Sequence, residues 1–229
     1  MPAHSLDRRS ILLLAIFPSI VIGLLNQFYL ELVYRQGHAW FFLADAGEWI
    51  VTPTLVWLFV LRPAYIKPKD FGLRLPILGG RPFETIGLFL FVAVLMWFTY
   101  GMVRYIAYFF LWPYTGTFGY GNAIPKLYPW NMLVVFYYSL TAAFIEEVVF
   151  RGLAWAYFSI AVPQPRRTFW YVTVTSILFA ATHSEQGPAG MIAALSLGIV
   201  ASTLYARLND LWPLVFGHFV VDVISFWPS

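Results

Sequence analysis

The sequence contains no cysteine, and that single absence removes disulfide bonds, thiolate metal sites and a cysteine nucleophile together. Charge is scarce as well. Asp, Glu, Lys and Arg make up 11% of the 229 residues, less than half of the roughly 25% usual in soluble domains. Hydrophobic residues account for 60% and aromatic residues for 20%. A water-soluble fold of this length cannot cover so much apolar surface, and here the apolar residues come in runs of about 20 rather than in short stretches broken by polar faces. The bilayer is therefore the solvent, and the fold expected is an all-α, polytopic transmembrane helix bundle. The net charge of +3 is read as loop anchoring at the cytoplasmic face, and no nucleic-acid site is inferred from it.

Seven spans are expected, within a range of six to eight, at about residues 11–30, 39–61, 83–112, 131–161, 169–183, 188–206 and 211–227. The first follows Arg8 and Arg9 like a signal peptide, but it is too long and lacks an A-x-A cleavage site, so it is expected to stay as a signal anchor. The third and fourth exceed the length needed to cross, so they tilt, kink or protrude; the fifth is short and is expected to extend beyond His183. Most Lys and Arg fall in loops on the N-terminal side, including Arg62, Lys67, Lys69, Arg74 and Arg81, against Arg35 and Lys126 on the other side. This asymmetry predicts a cytoplasmic N-terminus and an outside C-terminus. The loop over residues 62–82 mixes Pro, Gly and basic residues with Phe71, Leu73, Leu75 and Ile77, and is expected to lie along the membrane surface. With no repeat and no long polar loop, residues 1–229 read as one integral membrane domain.

Ionisable groups inside apolar spans cost several kcal/mol each unless paired or hydrated, so each is a functional hypothesis by default. They are concentrated here. The fourth span holds Glu146, Glu147 and Arg151, the fifth ends in Phe179-Ala-Ala-Thr-His183, and the seventh carries His218 and Asp222. Glu147 and Arg151 are four apart, on one helical face and in the favourable order for pairing. Glu146 is rotated about 100° from Glu147, so the two carboxylates point to different sides; with one held by Arg151, the other is free for acid or base work. Asp222 lies one turn beyond His218, where it can fix the imidazole's orientation, and Ser225 continues that stripe. Asp45 with Glu48, and Arg104, read as pairing or interfacial residues. In the sixth span Gly190, Ala194, Gly198, Ser202 and Ala206 recur every four residues, a stripe that admits a close helix neighbour.

The strings Glu146-Glu-x-x-x-Arg151, Phe179-x-x-x-His183 and His218-x-x-x-Asp222 resemble, in this order, the EExxxR, FxxxH and HxxxN/D motifs of the CPBP family of CAAX-protease-like and bacteriocin-processing membrane enzymes. The segment from Asp70 to Pro76 also looks like the loop that precedes the core in bacterial members. The resemblance covers about residues 66–226. It implies a glutamic-type intramembrane endopeptidase: Glu146 activates a water with help from His183, His218 backed by Asp222 stabilises the oxyanion, and Arg151 with Glu147 positions the catalytic helix. Asp222 stands where the eukaryotic branch has Asn. The residues themselves leave the roles of Glu146 and Glu147 exchangeable. They also leave open a zinc ion held by Glu146, His183 and His218 in place of the cofactor-free reading. The expected substrate is a membrane-associated protein or peptide, lipidated or not, and the expected location is a bacterial inner or plasma membrane in contact with lipid. The rival readings are a non-enzymatic membrane immunity protein or scaffold, and a proton-coupled transporter.

Overall fold

A computed structural model describes residues 6–74, 82–111, 116 and 118–227. Among them the chain forms seven continuous helical segments and no strand. These are α1 (Arg8–Gln36), α2 (His38–Leu61), α3 (Pro82–Phe110), α4 (Trp130–Ala161), α5 (Arg167–Ala181), α6 (Gly187–Leu208) and α7 (Trp212–Phe226). Each falls on one of the seven apolar runs. Five segments, α6 together with the turn before it among them, are long and apolar enough to cross a membrane, and α7 is a shorter apolar helix. Trp112, at the end of the expected third span, lies outside the described residues.

Local sequence explains the boundaries. Asp7 caps α1 by accepting the Ser10 N–H at 2.8 Å, and that bond holds its carboxyl below the usual carboxylate range. Gly37, at φ +123°, separates α1 from α2 in a conformation that side chains disfavour. The fifth run does not continue past His183 as expected. Its helix stops at Ala181, and the Thr182 hydroxyl and His183 Nδ1 both bond the Phe179 carbonyl, at 2.8 and 2.7 Å. These side chains satisfy a carbonyl that a longer helix would have used. A short 3₁₀ turn, Ser184–Gln186, follows, and Gly187 at φ +75° with Pro188 behind it restarts the chain as α6.

The helix α6 sits centrally, against α5 on one side and α3 on another, while α7 packs on α3 and α4. The small-residue stripe works where α5 and α6 meet: a Cβ on Gly198 would come within 3.0 Å of the Ser176 Cα, and Thr175 Oγ1 and Ser202 Oγ lie 3.0 Å apart in a buried hydroxyl pair. Gly190, at the stripe's start, instead accommodates the Gln186 side chain of the preceding turn.

The fourth helix changes pitch beside the polar motif. Residues Val148–Leu153 form a wider π-helical segment directly after Glu147, the kind of irregularity that recurs at functional sites. Against it docks part of the loop after α2, the loop expected along the membrane surface. Ile66 and Phe71 are each 3% exposed, the Phe71 carbonyl packs on Gly152, and the Gly72 carbonyl accepts the Leu211 N–H at 3.1 Å. Burying Phe71 in the bundle removes more apolar surface from water than an interfacial position does. Leu75 and Ile77 lie outside the described residues.

This docking makes Gly152 sensitive, because a Cβ there meets the Phe71 carbonyl and comes within 3.1 Å of Leu211 Cδ1. Gly152→Ala is expected to lose about 1–3 kcal/mol of stability, read as a lowered unfolding midpoint in mild detergent. Gly101→Ala, with nothing within 4 Å of the added carbon, is expected to leave the midpoint unchanged or slightly raised.

Candidate active site

The site begins with a buried charge chain. Arg151 Nε lies 3.2 Å from Glu147 Oε2, and both side chains are completely buried. The guanidinium sits over the Phe179 ring, 4.4 Å from its centroid, a cation–π contact strengthened by the absence of water. The other oxygen of Glu147, Oε1, accepts a 2.8 Å hydrogen bond from His218 Nδ1. With Glu147 paired to Arg151 and its Oε1 accepting, Nδ1 is the ring nitrogen that donates. Helix α4 thereby fixes the imidazole of α7 from behind.

Asp222, expected to back His218, stands on the other side of the ring. Asp222 Oδ2 lies 3.7 Å from the opposite nitrogen, Nε2, and Glu146 Oε2 lies 3.5 Å from the same atom. The physical reason is the approach of α4 to α7: Glu147 reaches the ring's far edge, leaving residues on α7's own stripe to face forward. The 100° rotation between the adjacent glutamates thus places His218 between them, one on each ring nitrogen.

His183 is oriented in the same manner by its own helix end. Its Nδ1 bonds the Phe179 carbonyl at 2.7 Å; a carbonyl can only accept, so in the neutral ring Nε2 holds the lone pair. This Nε2 is 3.9 Å from Glu146 Oε1. Phe179 packs its ring against both histidines, with centroid separations of 4.5 Å to His183 and 5.9 Å to His218, as well as under Arg151. One aromatic side chain therefore positions three polar groups.

Glu146, His183, His218 and Asp222 all line a cavity of about 390 Å³, with Ser225 further along. The spacings of 3.5–3.9 Å around Glu146 are longer than direct hydrogen bonds and have room for a shared water or substrate oxygen. Among the described residues no group of three or more His, Asp and Glu side chains is arranged to hold a metal ion.

Of the three residues read as pairing or interfacial, Asp45 and Glu48 are buried while Arg104 is exposed. Asp45 and Glu48 are 5% and 6% exposed, and Glu48 accepts a 3.1 Å bond from the Tyr29 hydroxyl. Arg104 donates at 2.9 Å to the Tyr100 hydroxyl, which lies 3.3 Å from Gln186 Oε1. Asp45 and Arg104 line the same cavity as Glu146. Sequence reasoning missed Asn26 and Glu185, which also line it. Glu185 had a signal, since it follows His183 by two residues at the end of an apolar run.

The family model described as type II CAAX prenyl endopeptidase Rce1-like matches residues 128–224. This stretch, less than half of the chain, is similar to that family. It contains all three motifs and every residue of the charge chain. No curated protein and no solved structure matched the chain. The CAAX-protease-like match supports an intramembrane peptidase, with a peptide or protein substrate in a membrane setting. Asn26, Asp45 and Arg104 reach the cavity from helices outside the matched stretch.

Breaking the buried pair leaves an uncompensated charge. Arg151→Met is expected to cost about 3–5 kcal/mol of stability, and adding Glu147→Gln to it is expected to restore part of that loss. Unfolding midpoints of the two single variants and the double variant, measured in one detergent, check the coupling.

Proposed function

We propose that the chain is an intramembrane endopeptidase that hydrolyses a peptide bond of a membrane-associated or lipidated substrate with Glu146 as general base. The observation that carries this reading is the convergence of His183 Nε2 and His218 Nε2 on the two oxygens of Glu146, at 3.9 and 3.5 Å, in one cavity. A water between Glu146 and His183 donates one hydrogen to each. Glu146 takes the proton as the water oxygen attacks the carbonyl carbon. His218, anchored at Nδ1 by Glu147, presents Nε2–H to the oxyanion, while Glu147 and Asp222 offset the imidazolium's charge. Collapse of the tetrahedral intermediate breaks the C–N bond, and Glu146 returns its proton to the departing amine. Arg151 acts through Glu147 and touches no reacting atom. The protein works in the plasma membrane with its N-terminus on the cytoplasmic side.

Wild-type protein in proteoliposomes is expected to cleave members of a library of tagged membrane and lipidated peptides. Glu146→Ala is expected to lower the rate by about 10³-fold and His218→Ala by about 10²–10³-fold, with insertion and unfolding midpoint retained. A chelator is expected to leave the rate unchanged. Retained cleavage in Glu146→Ala overturns the assignment of the base. Loss of activity with chelator, restored by zinc, moves the reading to a metal held by Glu146, His183 and His218. No cleavage, with abundance and biological activity falling together in each variant, favours the scaffold.

A further inference from the structure

The cavity beside the proposed base is acidic beyond what peptide hydrolysis uses. Asp45, Glu146, Glu185 and Asp222 line it, and Arg104 is the one Lys or Arg that does so among the described residues. Asp45 and Glu185 belong to no step of the proposed mechanism, and neither faces a Lys or Arg within ion-pair distance among the described residues. Asn26 lines the cavity with them and is itself only 5% exposed. Three acceptors in this group have no hydrogen-bond partner: Asn26 Oδ1, Asp45 Oδ2 and Glu185 Oε2. Unpartnered buried acceptors are costly, and the Asn26 amide supplies the group's only fixed N–H donors. What the group lacks is a cation with several N–H donors.

An alkylammonium supplies three donors on a compact charge, equal in number to the three unpartnered acceptors. A bare metal ion fits less well, because no His, Asp and Glu group among the described residues is arranged to hold one. We propose that Asn26, Asp45 and Glu185 form a subsite that receives the ammonium group of a peptide substrate, making this enzyme selective for a basic residue near the bond it cleaves. The proposal rests on the peptidase reading for the word substrate, but binding can be tested without cleavage. The residues come from α1, α2 and the turn before α6, so only Glu185 lies within the CAAX-protease-like stretch. Selectivity of this kind belongs to this chain's own N-terminal helices.

The test uses the full-length Glu146→Gln protein in nanodiscs and fluorescence anisotropy with three labelled membrane peptides of one sequence. The first is N-acetylated with lysine, the second N-acetylated with norleucine at that position, and the third carries norleucine and a free amino terminus. The lysine is moved through successive positions. At one of them the lysine peptide is expected to bind at least about tenfold more tightly than its norleucine counterpart. That preference is expected to vanish in the isosteric variants Asp45→Asn and Glu185→Gln. Tighter binding of the third peptide alone assigns the ammonium to a substrate's amino terminus instead of a side chain. Equal binding of all three, or a preference that survives both substitutions, overturns the subsite. The comparison of peptides on the Glu146→Gln protein without further substitution decides even if a variant at Asp45 or Glu185 fails to fold. If the preference is present but wild-type protein cleaves neither peptide, the peptidase reading falls and the subsite stands; cleavage without preference has the opposite meaning.

Discussion

One buried cation organises this protein's polar centre. Arg151 has no access to water, so its charge must be balanced within the bundle. Glu147 provides the balance from the same helix, and the Phe179 ring covers the guanidinium from another. Because Glu147 is committed to accepting, it holds His218 on α7 by the ring nitrogen that faces away from the cavity. The ion pair thus connects α4, α5 and α7 through a single carboxylate and a single aromatic ring. Each link also fixes which nitrogen of an imidazole faces the cavity.

The wider helical turn that follows Glu147 serves the same arrangement. A π-helical segment shifts the angular positions of Val148–Leu153 relative to an ordinary helix, and within it Arg151 and Gly152 face different neighbours. Arg151 turns to Phe179, while Gly152 lets the Phe71 carbonyl approach the helix closely. The loop after α2 is therefore packed against α4 at Gly152, and Phe71 is not among the residues that line the cavity. Rigidity behind the site and open space before it are compatible because adjacent positions of one helix serve them.

Much of this was legible in the sequence. Seven apolar runs became seven helices, since a backbone in hydrocarbon has to satisfy its own hydrogen bonds, and Gly198 and Ser202 proved to be a helix contact. The candidate residues Glu146, Glu147, Arg151, Phe179, His183, His218 and Asp222 could be named because ionisable side chains are conspicuous in apolar runs. The partner of His218 could not. Spacing within a helix identifies Asp222 as a neighbour, but Glu147 lies 71 positions away in sequence, and no periodicity reports which face of α4 meets α7. The same limit hid the company of Asp45, which lines one cavity with Asn26 and Glu185 only through the packing of α1, α2 and the turn after α5. Glu48 was read against Asp45, one turn away, when its hydrogen-bond partner is Tyr29 on another helix.

The lengths of α5 and α7 bear on the lipid around them. Each has 15 residues, about 22 Å at 1.5 Å per residue, whereas the hydrocarbon layer is roughly 30 Å thick. The lipid beside the two histidine-bearing helices must shorten its reach or leave their ends to the headgroup layer. Either response brings the aqueous boundary nearer to His183, which lies just past the end of α5. The proposed hydrolysis depends on a supply of water, and short helices beside the site shorten the distance that water has to travel.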